Sequence, residues 1–257
     1  MQKFAALRRG LMAGCTALAI MGAAGFGAGT LGFVSSAVAQ ASTLTSAQIA
    51  AINSAVQTAL NNVDPSLTGA AKAAAIAQAI AQATATEIGI YGNGAIAAVT
   101  SAAISDGVAA QQAIADAILG ASTAGVPAAT AVEDTVLGAA SAGTSPTLAA
   151  EAAMTIGEQD GMSATDVGTG LGAAATILAS TNPSAGAQIA AVVANEGASG
   201  TQLAFANSVV ANGGSQQLAD AGGATPTVTG ETNTVGGQTT TTSSGTTLPP
   251  CANPSCT

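Results

Sequence analysis

Glycine recurs every 18 residues through the middle of this chain, at Gly107, Gly125, Gly143 and Gly161. The register continues back to Gly89 and forward to Ala179 and Gly197. Around it the units resemble each other: residues 113–126 (AIADAILGASTAGV) match residues 131–144 (AVEDTVLGAASAGT) nearly position for position, and residues 95–108 form a weaker copy. A period of this length holds one helix and one turn, with glycine at the point where a helix must reverse into left-handed backbone.

Start signals fall between the glycines. Asp64-Pro65, Ser145-Pro146 and Asn182-Pro183 each place a side-chain acceptor before a proline whose missing N–H is harmless at the first helical position. Thr45 with Gln48, Ser163 with Asp166 and Ser199 with Gln202 have the spacing of a capping box. Helices of about 11 to 14 residues joined by turns of about 4 to 6 are therefore expected from Thr45 to about Ala219. Residues 45–60 form the first, with Ile49, Ile52, Val56 and Leu60 on one face, and a second runs from Asp64 to about Thr84. Residues 87–94 read as a turn, with Tyr91 as a packed plug.

The fold class is accordingly all-α: an Ala-rich repeat of short antiparallel helices in 18-residue units, an α-solenoid or a compact helical array, with a disordered C-terminal tail. Short connections make neighbours antiparallel, and a helix of about 12 residues is marginal alone, so each unit depends on the next. Alanine suits this design because it has the best helix propensity and loses no rotamer entropy on burial. Ile96, Leu119, Val136, Ile177, Ile189 and Val210 are among the expected core residues.

The first 39 residues read as a signal peptide. Lys3, Arg8 and Arg9 form a basic start, residues 11–34 are apolar and uncharged, and residues 37–39 (AVA) make a small-x-small site for cleavage between Ala39 and Gln40. If uncleaved, residues 11–34 are long enough to anchor the chain in the inner membrane. A twin-arginine signal at Arg8-Arg9 and lipidation at Cys15 are weaker alternatives: the first lacks flanking polar residues, and the second leaves no apolar stretch before the cysteine. The product is expected in the periplasm, on the outer surface or outside the cell. Residues 40–220 form the helical repeat domain. Residues 221–250 are a Gly/Thr/Ser-rich linker too poor in apolar side chains to offset ordering. Residues 251–257 form a tip in which Cys251 and Cys256 close a small disulfide loop, as an exported close pair would.

Composition removes whole classes of chemistry. Only 7% of residues are charged and 2% aromatic, and histidine and tryptophan are absent. Without histidine there is no Ser-His-Asp or Cys-His catalysis and no His-ligated zinc, copper or haem. Past residue 10 the single cation is Lys72, too little to neutralise phosphates, so nucleic acid is no partner. Losing Lys3, Arg8 and Arg9 takes the formal net charge from −9 to −12, a surface that repels polyanions.

Three local patterns remain. Residues 168–173 (GTGLGA) satisfy the dinucleotide fingerprint, but no strand precedes them, and close helix packing is the better reading. Glu158, Asp160 and Asp166 are weak candidates for a calcium site, against a solvated acidic turn. Glu133-Asp134, with Asp116 at the equivalent position, is expected near a helix start, where carboxylates favour the macrodipole. No catalytic or cofactor-binding residues and no cofactor are expected. The expected protein is a non-enzymatic, exported structural or surface-interaction component of the bacterial envelope. The alternative is a periplasmic or extracellular module binding a peptide or polymer on the face of the helices. Its partner is an envelope protein or polymer, homo-oligomers are compatible with the repeat, and membrane contact is limited to an uncleaved N-terminal segment.

Overall fold

A computed structural model describes residues 44–226, and the chain is all-helical over that range. Ten α-helices follow one another: α1 Ser46–Asn61, α2 Gly69–Tyr91, α3 Ala95–Ser105, α4 Ala110–Thr123, α5 Ala128–Ser141, α6 Pro146–Asp160, α7 Ala164–Thr181, α8 Pro183–Glu196, α9 Ser199–Ala211 and α10 Gln216–Ala221. Ala39, Gln40, Cys15, Cys251 and Cys256 lie outside the described residues.

The glycine register is built into the backbone. Gly107, Gly125, Gly143 and Gly161 have φ of +91°, +77°, +85° and +71°, a region closed to most side chains. At each the same two hydrogen bonds close the helix. The Gly107 N–H donates to the Ile104 carbonyl and the Val108 N–H to the Ala103 carbonyl, both at 3.0 Å, and the pattern repeats at Gly125/Val126, Gly143/Thr144 and Gly161/Met162. The residue after that pair starts the next helix: Ala109, Pro127, Ser145 and Ser163, again 18 apart, are the N-caps of α4 to α7.

Outside these four turns the register lapses for visible reasons. Gly89 lies inside α2, which runs on to Tyr91 and stops at Gly92 (φ +78°), so the turn expected over residues 87–94 is confined to residues 92–94. Ala179 supplies no left-handed residue, and α7 continues through it until Asn182, which closes α7 and opens α8. Gly197 ends α8 in extended backbone with φ −72°. The left-handed turn returns at Gly213.

Caps show the same mixture. Thr45 and Gln48 form the full capping box, and the Ser145 hydroxyl accepts from the Leu148 N–H at 3.2 Å. Asp64-Pro65 does not start a helix: the Asp64 carboxylate accepts from the Ser66 N–H at 2.8 Å in a tight turn, and α2 begins at Gly69. Ser199 does not cap α9; Ala198 does, and Gln202 turns back to donate to the Ala194 and Gly197 carbonyls at the end of α8. Replacing Ser145 by alanine is expected to cost about 1 kcal/mol, seen as a melting point lower by roughly 2 to 4 °C.

Packing skips one helix. α1 packs on α3, α3 on α5, α5 on α7 and α7 on α9, while α2, α4, α6, α8 and α10 make the corresponding second series. Consecutive helices also touch, which ties the two series together. Apolar clusters bridge the two series. Ile52, Val56, Ile80 and Val99 form one with Tyr91 packed against it, and Ile114, Val136, Leu171, Ile189 and Phe205 belong to the largest. Three expected core residues are instead on the surface: Leu119 and Ile177 are 44% exposed and Val210 37%. Leu119 and Ile177 lie on the outward sides of α4 and α7, whose inner positions are filled largely by alanine and glycine.

Glycines inside the helices set how closely the backbones approach. A Cβ on Gly138 of α5 would land on the Ala97 backbone of α3, and one on Gly120 of α4 would sit 2.6 Å from the Thr84 Cβ of α2. In α7 the arrangement is two-sided. Gly168 and Gly172 face Thr201, Phe205 and Ser208 of α9, whereas Gly170 faces Ala129 and Val132 of α5. Ser208 completes the α7–α9 contact by donating its hydroxyl to the Thr169 carbonyl at 2.7 Å.

Candidate functional site

The packing just described decides what the three local patterns do. Residues 168–173 lie within α7, with each glycine pressed against a neighbouring helix. They are a packing device, with no exposed helix N-terminus for a pyrophosphate.

Glu158 and Asp160 end α6, and Asp166 lies in the first turn of α7. Asp166 is already engaged: its N–H donates to the Ser163 oxygen at 3.0 Å, and its carboxylate accepts from the Ser163 hydroxyl at 2.6 Å. Among the described residues no group of three Asp, Glu, Cys or His side chains is arranged to hold a metal ion. The three carboxylates, weak candidates for a calcium site, are not gathered into such a group.

The third pattern departs furthest from expectation. Asp134 and Glu133 sit in the middle of α5, not at its start, and Asp134 is only 4% exposed. Burial pushes the Asp134 carboxyl up to about 7, and the neighbouring Glu133 charge adds to the rise. Burial likewise raises Glu133, and it raises Glu87 near the end of α2. Asp116 occupies the equivalent place in α4 and is 6% exposed. Each aspartate lies one helical turn before a seam glycine, Asp116 before Gly120 and Asp134 before Gly138. Residues four apart share a helix face, so both carboxyls belong to the faces where α4 meets α2 and α5 meets α3. The repeat alignment marked this pair, but only burial distinguishes a core carboxyl from a capping one.

A second feature carried no sequence signal. Between α1 and α3 a groove of about 390 Å³ is lined by Ala50, Asn53, Ser54, Gln57, Ser101, Ala102, Ser105 and Asp106. Its walls offer amide and hydroxyl donors and acceptors from two helices, a lining suited to hydrogen-bonding a polar chain rather than to proton transfer. Among the described residues no helix is long and apolar enough to cross a membrane. No family profile, characterised protein or solved structure matches this chain.

Proposed function

We propose that this chain is a non-enzymatic, exported structural or surface-interaction protein of the bacterial envelope. The observation that carries the reading is its exposed surface. Seven large apolar side chains are exposed among the described residues, and they are spread over six helices: Ile49, Ile90, Leu119, Leu148, Ile177, Leu203 and Val210. Between them the exposed positions are mostly Ala, Ser, Thr, Asn, Gln and Gly. Exposed apolar side chains distributed singly are ordinary surface, whereas sites that grip apolar ligands gather them into a patch. The basic start, apolar run and small-x-small site of residues 1–39 support export, and the pair Cys251 and Cys256 suits an oxidising compartment.

Cell fractionation followed by crosslinking tests this directly. The exported chain should begin near Gln40 by N-terminal sequencing, show Cys251 joined to Cys256 in mass spectra taken without reductant, and crosslink to an envelope protein or polymer. A chain that keeps Met1 in the membrane fraction would favour the inner-membrane anchor through residues 11–34. Recovery of the unprocessed chain from the cytoplasm with free thiols would overturn the export reading.

The groove between α1 and α3 favours a second reading, a module that binds a peptide or polymer. In that case a polar peptide or glycan fragment should shift the side-chain amide resonances of Asn53 and Gln57, and Gln57→Ala should weaken the effect. Unchanged resonances at millimolar fragment would leave the structural role.

A further inference from the structure

The carboxyls of α4 and α5 follow the repeat: Asp116 and Asp134 are 18 residues apart, both buried, and each lies one turn before the glycine that seats its helix on the helix two places back. At these glycines the backbones are in contact, so little room remains for water to solvate an ion. The ionisable groups on every element packed against α5 are also of one sign. α3 carries none within its span, α4 carries Asp116, α6 carries Glu151, Glu158 and Asp160, α7 carries Asp166, and α5 itself adds Glu133. Lys72, the single cation among the described residues, is exposed on α2, which packs mainly on α1, α3 and α4.

We infer that Asp134 makes the helix array a pH-sensitive assembly: with a neutral Asp134 carboxyl the contact between α3 and α5 is closed and tight, and ionisation of that buried carboxyl loosens it. The covalent chemistry is a single proton leaving the carboxyl for solvent, and its cost falls on the folded state because only there is the group buried. The direction follows from linkage. In the unfolded chain the aspartate ionises at the ordinary value near 3.8, and in the folded chain at about 7. Between these values the folded state holds the extra proton, so stability is full in acid and declines as pH rises through about 7. This is the reverse of a salt-bridged carboxylate, which is lost on acidification. Glu133 moves the response to higher pH because its own charge lies beside Asp134.

The test is urea unfolding of the full chain at half-unit steps from pH 5 to pH 8, followed by helical circular dichroism. The unfolding constant is expected to rise with pH by up to about tenfold per unit below pH 7, the limit for one linked proton. Asp134→Asn, which keeps the shape and removes the charge, should remove most of that slope and be more stable than the parent at pH 8. Glu133→Gln should move the midpoint to lower pH. Carbon-13 NMR of the labelled parent protein provides a readout that does not depend on any variant folding: the Asp134 side-chain carboxyl should titrate near pH 7. Stability that is flat or rises with pH in the parent, a slope that survives intact in Asp134→Asn, or an Asp134 carboxyl that titrates below pH 5 would each overturn the inference.

Discussion

Replacing Gly170 with alanine is expected to destabilise the fold by about 3 kcal/mol, although the same change in a free helix stabilises by about 1 kcal/mol. The sign reverses because α7 lies between two helices. A Cβ at position 170 would meet the Ala129 carbonyl oxygen of α5 and come within 2.7 Å of the Val132 Cβ. One obstacle is backbone and the other is a β-branched side chain with one strongly preferred helical rotamer, so neither moves aside easily. Nor can α7 shift toward α9, because Gly168 and Gly172 already bring it against Thr201 and Phe205 there. Gly89→Ala is the matched control. It lies within α2 with no atom inside 4 Å of the added Cβ, and it should stabilise by roughly 0.5 to 1 kcal/mol. Urea unfolding of the two variants beside the parent decides the matter. Equal stabilisation by both would mean that α7 is not clamped between α5 and α9.

Phe205→Ala is expected to cost about 3 to 5 kcal/mol, the largest loss from any single truncation in this fold. Phe205 is the largest fully buried side chain and is 0% exposed. Its ring packs where Gly222 follows α10; a Cβ on that glycine would strike the ring. Most cores refill part of such a cavity by moving flexible neighbours. Here the surrounding core is rich in alanine, including Ala174, Ala175, Ala190, Ala206 and Ala219, and these side chains have no rotamers with which to reach inward. The loss should also be visible locally. α10 has six residues and is held by α8 and α9, so its amide hydrogens should exchange much faster in the variant than those of α3 or α4. Unchanged exchange in α10 would show that Phe205 is not what seats it.

The helices and four of their turns were legible in the sequence because each depends on a local requirement. A left-handed residue after a helix is nearly always glycine, and Gly107, Gly125, Gly143 and Gly161 fill that need at a regular spacing. Ser145 and Ser163 were readable as caps for the same local reason. Errors came where one position permits two roles. Asp64-Pro65 has the chemistry of a helix start and is used as a turn, Ser199 has the chemistry of a cap and is passed over, and Gly89 and Gly197 hold the register without adopting the turn. The candidate site was legible only as an alignment. Asp116 and Asp134 match in the repeat, but carboxylates in the first turn of a helix and in its buried middle look alike in sequence, and their chemistry differs in direction: the macrodipole favours the ionised form, while burial raises the Asp134 carboxyl and favours the neutral one.

The order of residues therefore settled the all-helical class, the spacing of the central turns and the chemistries that a chain without histidine cannot perform, since each follows from backbone preference or from a side chain being present or absent. Tertiary packing decided which helix lies against which, that Leu119 and Ile177 face outward, that the glycines of α7 join helices instead of cradling a ligand, and that Asp134 is buried beside Glu133. In a chain where most apolar side chains are alanine, the faces of a helix differ little in hydrophobicity. Which face turns inward is therefore set by where two backbones can touch, and that depends on pairs of residues far apart in sequence.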